Sequence, residues 1–591
     1  MKPTAAKTSS TPPTRPPRLF PGRVASTLIL VCLGVMLIVR VFREEFAAVI
    51  KVFDSAAANI STMILSFVIV VTVAVWFLCF SDYAWRTKGT VMAALAALLL
   101  VLASGFQIDG PTGDLAFGLV PRPWLCAVLP AAPRPPAPKV ADDHAQQGAD
   151  LATTSDADFP RFLGPEGTNH LPSAGGAPLA RDWNAVPPKL LWKQTIGQGW
   201  SGFAVVNGYA VTLEQQKDEE WVSCYEAATG KLIWKRVTPG RHEAPMGGVG
   251  PRSTPTIHKG LVYTVGGVGR LQCLDGRDGA LKWEDDLLAR CGTDAATDAQ
   301  AVMWGRAGSP LVVADLGLLI VAGGGPDEAA TSLLAYDLAT GDVRWRGGNS
   351  QISYATPVDA TLAGQRQIIS VNENDVTGYD IQTGDVLWKH SWPGSSSGNA
   401  SCSQPHVLAG DRILLSKGYG EGAEMIRIVK QEGKLAAESL WKNPRVLKTK
   451  FTNITIRGDY AYGLSDGVLQ CVSLDDGKSR WRGGRYLHGQ LLGVGDLILV
   501  LGEDGKLALV EANPERHVEL GRIDALTGKT WNSFALYGKL LLIRNAQEAA
   551  CYELPVVSSE HPERAPAANP PGSRAPQTAP AEEPSAEEAA P

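Results

Sequence analysis

One eleven-residue frame recurs through most of this chain, and no other feature constrains its fold as tightly. Its fullest copy is Ala335-Tyr336-Asp337-Leu338-Ala339-Thr340-Gly341-Asp342-Val343-Arg344-Trp345, and the same frame ends at Trp234, Trp283, Trp388 and Trp481. Looser copies end at Trp192 and Trp441, and an eroded one lies near Leu520. Successive anchors stand 40 to 62 residues apart, the period at which repeated four-stranded units stack radially into a propeller. The 62 Gly and 40 Pro fit a turn-dense, strand-rich body and argue against a mostly helical one.

Each interval holds one unit. Before Trp283, residues 253–258, 260–266 and 271–275 read as short strands and 280–284 closes the unit. Asp275-Gly276-Arg277-Asp278-Gly279 supplies the last hairpin, where glycine accepts the positive φ of a tight turn. Apolar strands of this length cannot bury their faces alone, but a ring of them can. The reading is therefore all-β: an eight-bladed propeller over 159–555, with seven blades as the alternative because the unit around 510–520 lacks its Gly and Trp. Residues 534–554 supply three strands without a Trp strand, and 189–197 supply a Trp strand without a blade. Joining them would close the ring and remove an exposed sheet edge.

The Ala-x-Asp-x-x-Thr-Gly-x-x-x-Trp frame resembles the tryptophan-docking motif of pyrroloquinoline-quinone (PQQ) repeat propellers, a family that includes quinoprotein dehydrogenases and BamB-type assembly scaffolds. The resemblance implies that Trp234, Trp283, Trp345, Trp388 and Trp481, with Gly230, Gly279, Gly341, Gly384 and Gly477, pack neighbouring blades together. Only glycine leaves room for the face of the indole.

Three apolar runs precede the repeats, at 24–39, 63–80 and 91–106, each about long enough to cross a bilayer. Five basic residues and no acid stand before Val24, and Arg86 and Lys88 lie between the second and third runs. The positive-inside rule then places the amino terminus in the cytoplasm and, after three spans, the propeller on the periplasmic side of a multi-pass inner-membrane protein. Residues 1–23 read as a disordered basic terminus, 24–106 as the transmembrane region, 107–158 as a Pro/Ala-rich linker, and 556–591 as a disordered Pro/Ala/Glu tail. A net charge of −5 with both signs mixed gives no nucleic-acid footprint.

Residues able to carry chemistry are sparse. Cys224, Cys273 and Cys471 share one frame position and Cys551 reads as its eighth copy, so they point apart on different blades and cannot form a disulfide or metal framework. The sequence holds no CxxC, adjacent cysteine pair, CxxCH haem site, metal-spaced histidines, GxSxG elbow or Walker loop. The innermost strand of each blade should bring Trp200, Arg252, Trp304, Tyr354, Asn399, Lys450, His488 and Trp531 to one mouth of the axis. The longest insertion, 287–310, adds Cys291 and Trp304 to that side. Arg252, Lys450, Trp304 and Trp531 are the candidates for holding a flat anionic cofactor.

Two functional expectations follow. The first is a non-catalytic, membrane-anchored binding or scaffolding module that meets other envelope proteins or a small ligand at the funnel, with no cofactor and no metal identified. The alternative is a PQQ-dependent, calcium-containing membrane quinoprotein dehydrogenase of a sugar or alcohol, for which amino-terminal spans ahead of an eight-bladed domain are the parallel.

Overall fold

The computed structural model describes residues 18–42, 46, 55–108, 110–117, 119–122, 148–244 and 246–557. The basic terminus before Arg18, most of the 43–54 loop, the Pro/Ala tract with Cys126, and the tail beyond Val557 lie outside the described residues. The chain divides into two compact units, Met1–Val556 and Val557–Pro591. Every described helix and strand belongs to the first.

Three helices, α1 (Arg23–Val41), α2 (Ser55–Phe80) and α3 (Trp85–Gly105), are long and apolar enough to cross a membrane. They extend beyond the apolar runs of the sequence because Ala and Ser at 55–62 continue the helical backbone ahead of the strongly hydrophobic stretch. The last turn of α2 is a π-helix, Trp76–Phe80. In the tight connection to α3, Lys88 is buried and its Nζ donates to the carbonyls of Leu78 and Ser81, both at 2.9 Å.

Eight antiparallel sheets form the propeller. Blade 1 spans residues 204–239, blade 2 256–286, blade 3 311–347, blade 4 358–391, blade 5 406–443, blade 6 455–485 and blade 7 490–524. Blade 8 consists of Ala535–Tyr537, Leu540–Arg544 and Glu548–Glu553, closed by the strand Lys189–Thr195 with Cys551 opposite Trp192. Residues 148–188 pack against the blades rather than forming a free linker. Ala149 N donates to Arg277 O (2.9 Å), Phe159 bridges to Val205, and His170–Leu171 adds a fifth, parallel strand to blade 7.

Blade 7 retains all four strands, so the count is eight and not seven. In the other blades a small or apolar residue pairs with the tryptophan, as Cys273 with Trp283 and Ala335 with Trp345; in blade 7 Leu509 pairs with Gly521. The reason lies next door. The last two strands of blade 8 come from opposite ends of the propeller sequence, so that corner has no hairpin turn on which a tryptophan could dock. Residues 179–183 cover it instead: Leu179 bridges to Val556, Ala180 N donates to Pro555 O (2.8 Å), and the buried Trp183 lies against Gly521.

Between most other blades the indole of one rests on the glycine turn of the next. A Cβ built on Gly279 would sit 2.6 Å from Trp234, and Gly230, Gly341, Gly384 and Gly477 are crowded in the same way by Trp192, Trp283, Trp345 and Trp441. Each of these five indoles also donates to a carbonyl of the blade it touches, at 2.8 to 3.1 Å. Trp388 and Trp481 meet no such glycine. Blade 5 replaces the short turn with two ten-residue strands, and Trp388 donates to Gln367 of its own blade. Trp481 donates to Asn513 O (2.8 Å) and packs edge-on to His517.

Truncating a buried indole wedge removes area and opens a gap between two sheets. Trp345→Ala is expected to destabilise the propeller by about 3 to 5 kcal/mol. Trp183→Ala should fall in the same range although it lies outside the repeat. Chemical denaturation of the full chain checks both, and an unchanged midpoint for Trp183→Ala would show that the corner of blade 8 closes without it.

Candidate functional site

The segments that lead into the innermost strands meet at the axis because every blade begins there. Short polar side chains stitch these segments together. Gly202 N donates to Thr254 Oγ1, Thr254 N to Ser309 Oγ, and Ser309 N to Thr356 Oγ1, which links blades 1 to 4. Gln404 N donates to Asn453 Oδ1, Gln490 Nε2 to the carbonyls of Phe451 and Trp531, and Asn532 Nδ2 to those of Gly199 and Ser201. The buried Arg544 adds a fork from blade 8 to Thr212, Leu213 and Gly197 of the blade 1 side.

This belt positions one end of a cavity of about 510 Å³. Trp200, Arg252, Trp304, Tyr354, Lys450 and Trp531 line it, with Phe162, Phe451, Tyr419 and Cys402 beside them. Trp531 lies with ring centroids 4.8 Å from both Trp200 and Phe451, and the Lys529 ammonium sits 4.4 Å from its centroid. Asn399 and His488 are not on the wall: the Asn399 carbonyl accepts from Ser395 N (3.2 Å), and His488 is buried behind it. Cys291 is buried in the insertion, whose second short helix is held by a buried Arg306 to Asp298 ion pair (2.7 Å).

The mouth also holds a segment that the sequence pattern assigns to the linker. Residues 110–117 follow α3 and dock in the funnel. Gly113 N donates to Glu503 Oε1 (2.7 Å), Lys450 Nζ to Gly113 O (3.0 Å), and Lys529 Nζ to Pro111 O (3.3 Å). Asp114, 4 % exposed, accepts from His488 Nε2 (2.8 Å) and pairs with Arg485 (2.7 Å). Asn59 in the second turn of α2 donates to the Asp114 carbonyl (2.8 Å), and Ala56, Ala57 and Ile60 of the same helix complete the cavity wall. The start of α2, the end of α3 and the propeller mouth thus meet at one place.

Burial raises the Asp114 carboxyl, but the His488 hydrogen bond and the charges of His488, Lys450 and Arg485 outweigh it and hold the group at about 2. Burial lowers Arg252 to about 10 and pushes the Cys402 thiol up to about 12, so that thiol is not a ready nucleophile. Cys224, Cys273, Cys471 and Cys551 are free and buried, each opposite its blade's tryptophan strand. Among the described residues no group of three or more His, Cys, Asp and Glu side chains could hold a metal ion.

The family model described as outer membrane protein assembly factor BamB matches residues 182–303 and 218–483. This chain belongs to that family. The crystal structure of BamB from Moraxella catarrhalis is similar at 14% identity, covering 62% of this chain and 100% of that one, with a TM-score of 0.44. The quinohemoprotein alcohol dehydrogenase of Comamonas testosteroni is similar at 13% identity, covering 68% of this chain and 81% of that one, with a TM-score of 0.48. No curated protein sequence matches this BamB-family chain.

Sequence reasoning missed Asp114, Glu503, Phe451 and Tyr419. Gly110-Pro111-Thr112-Gly113-Asp114 carries a turn signal, but nothing local ties it to a funnel whose nearest contacting residue is more than 300 positions away.

Asp114→Asn keeps the side-chain shape and removes its charge. A carboxyl held below its ordinary 3.8 stabilises the docked loop above that pH and loses the contribution as pH falls toward 2. At neutral pH the substitution should therefore loosen residues 110–117 by about 2 kcal/mol, read as faster hydrogen exchange at their amides, while near pH 2 the two proteins should exchange alike. Equal protection at neutral pH would show that the loop is held by its other contacts.

Proposed function

We propose that the protein is a membrane-anchored, extracytoplasmic binding or scaffolding propeller that performs no chemistry of its own and works with protein partners of the cell envelope. The observation that carries this reading is the docked 110–117 loop: the funnel mouth is joined to the membrane helices by Glu503, Lys450, His488 and Arg485 rather than left open as a substrate channel. Such a junction holds the outer faces of the blades at a set orientation above a membrane, which suits a platform for other proteins. The family description, outer membrane protein assembly factor, agrees with an envelope role. The basic excess before Val24 and at Arg86 and Lys88 supports an inner-membrane, multi-pass arrangement with the propeller on the periplasmic side.

One observation favours the quinoprotein reading. Arg252 and Lys450 with Trp304 and Trp531 would suit the carboxylates and flat ring of PQQ. The donor set does not fit its calcium. That ion takes six to eight oxygen ligands, carboxylates prominent among them, and the residues lining the cavity include no Asp or Glu.

The full chain supplied with PQQ and calcium is expected to show no dye-linked oxidation of glucose or simple alcohols above a protein-free control. A saturable rate abolished by Trp531→Ala would replace the scaffold reading with the dehydrogenase. Sidedness is tested separately: a reporter fused after Leu554 should be active only outside the cytoplasm, and cytoplasmic activity would reverse the orientation.

A further inference from the structure

The cavity holds a cation that the described chain leaves without a carboxylate. Arg252 Nη1 donates to Gly250 O (2.5 Å) and Nη2 to the carbonyls of Gly247 (2.9 Å) and Gly248 (3.1 Å). Carbonyls orient the guanidinium but do not neutralise it, and the titratable group acting on it is the buried Tyr354 phenol, not a carboxylate. Lys450 differs, because Asp114 stands close enough for the two charges to act on each other. An unneutralised cation facing an apolar chamber is costly and favours an anion beside it.

The Trp304 ring packs beside that cation. A Cβ built on Gly247 would be 2.8 Å from Arg252 Nη2 and 3.0 Å from Trp304 Cε3, so a bare glycine is what lets both side chains pack this closely. Away from this pole the lining is mostly apolar, with Trp200, Met246 and Met303 on the propeller side. Ala57 and Ile60 face them from the first turns of α2, a helix apolar enough to cross the membrane. At about 510 Å³ the chamber lies within the range of small-molecule sites.

We infer that this chamber binds an anionic amphiphile, one carboxylate or phosphate group at Arg252 with an apolar chain lying toward α2. The inference deepens the proposed function by naming the class of ligand that a membrane-anchored propeller would take at its mouth. Two sources share this chemistry, a soluble fatty acid and an anionic membrane lipid.

The test uses the full chain in phosphatidylcholine nanodiscs, titrated with radiolabelled dodecanoate and separately with dodecanol. A parallel sample reconstituted with added phosphatidylglycerol is repurified and its lipid extracted. One saturable dodecanoate site, with dodecanol and the Arg252→Gln variant each about tenfold weaker or more, supports the site and a soluble source. Phosphatidylglycerol retained by the wild type and lost from Arg252→Gln, without dodecanoate binding, supports the site and a membrane source. Ala57→Phe fills the chamber from the helix side without touching the cation and should block either ligand, which decides the matter if Arg252→Gln does not fold. Retention of neither ligand, or equal binding of dodecanoate and dodecanol that ignores both variants, overturns the inference. Redox turnover and reporter sidedness are read independently, so failure here is distinct from failure of the scaffold reading.

Discussion

An indole lying flat on the glycine of a neighbouring turn sets the geometry of this molecule. Blades radiate from an axis, so the gap between them widens outward and needs a large rigid filler at a fixed radius. The tryptophan fills it and the facing glycine, held at positive φ, as in Gly279 with φ of 75°, lets the ring approach the backbone. The indole N–H then bonds a carbonyl of the next blade, as Trp234 does with Gly276 O, which fixes rotation as well as distance. Repeated around the ring, this contact determines where the inner strands converge.

The exceptions follow from the same constraint. Where blade 5 grows long strands its turn glycine, Gly433, has no indole near it, and Trp388 turns to Gln367 within its own blade. Where blade 8 is closed across distant parts of the sequence its last two strands share no hairpin, so blade 7 carries Gly521 and a separate residue, Trp183, reaches the gap from outside the repeat. The eroded copy is thus the consequence of ring closure. Closure itself rests on strand pairing between Glu548–Glu553 and Lys189–Thr195 and on the buried Arg544 fork.

Convergence at the axis makes a site whose electrostatics are unusual for a structural plug. Asp114 meets His488, Arg485 and Lys450, and this cluster ties the α2 and α3 ends to the mouth. Arg252 stands apart from that cluster, its guanidinium held by the carbonyls of Gly247, Gly248 and Gly250. The fold alone does not say which chemistry such a mouth performs, since propellers of one architecture host both scaffolds and enzymes. The balance of charges and the identity of the lining side chains carry the functional reading.

The repeat makes the blades legible in sequence alone, because period, turn glycines and terminal tryptophans are local features that stacking alone can satisfy. It also foretells the closing partnership of residues 189–197 with 534–554, since each is incomplete in a complementary way. Register along the repeat is enough to place Trp200, Arg252, Trp304, Tyr354, Lys450 and Trp531 around one chamber. It brings Asn399 and His488 to the mouth but not onto the chamber wall, because loop length and not strand register decides which face a loop residue presents. Trp183, Glu503 and the 110–117 loop are left to the tertiary structure. Their partners are distant in sequence and follow no period, so only the folded chain, by bringing the end of an apolar helix and a propeller axis into contact, could pair Asp114 with His488.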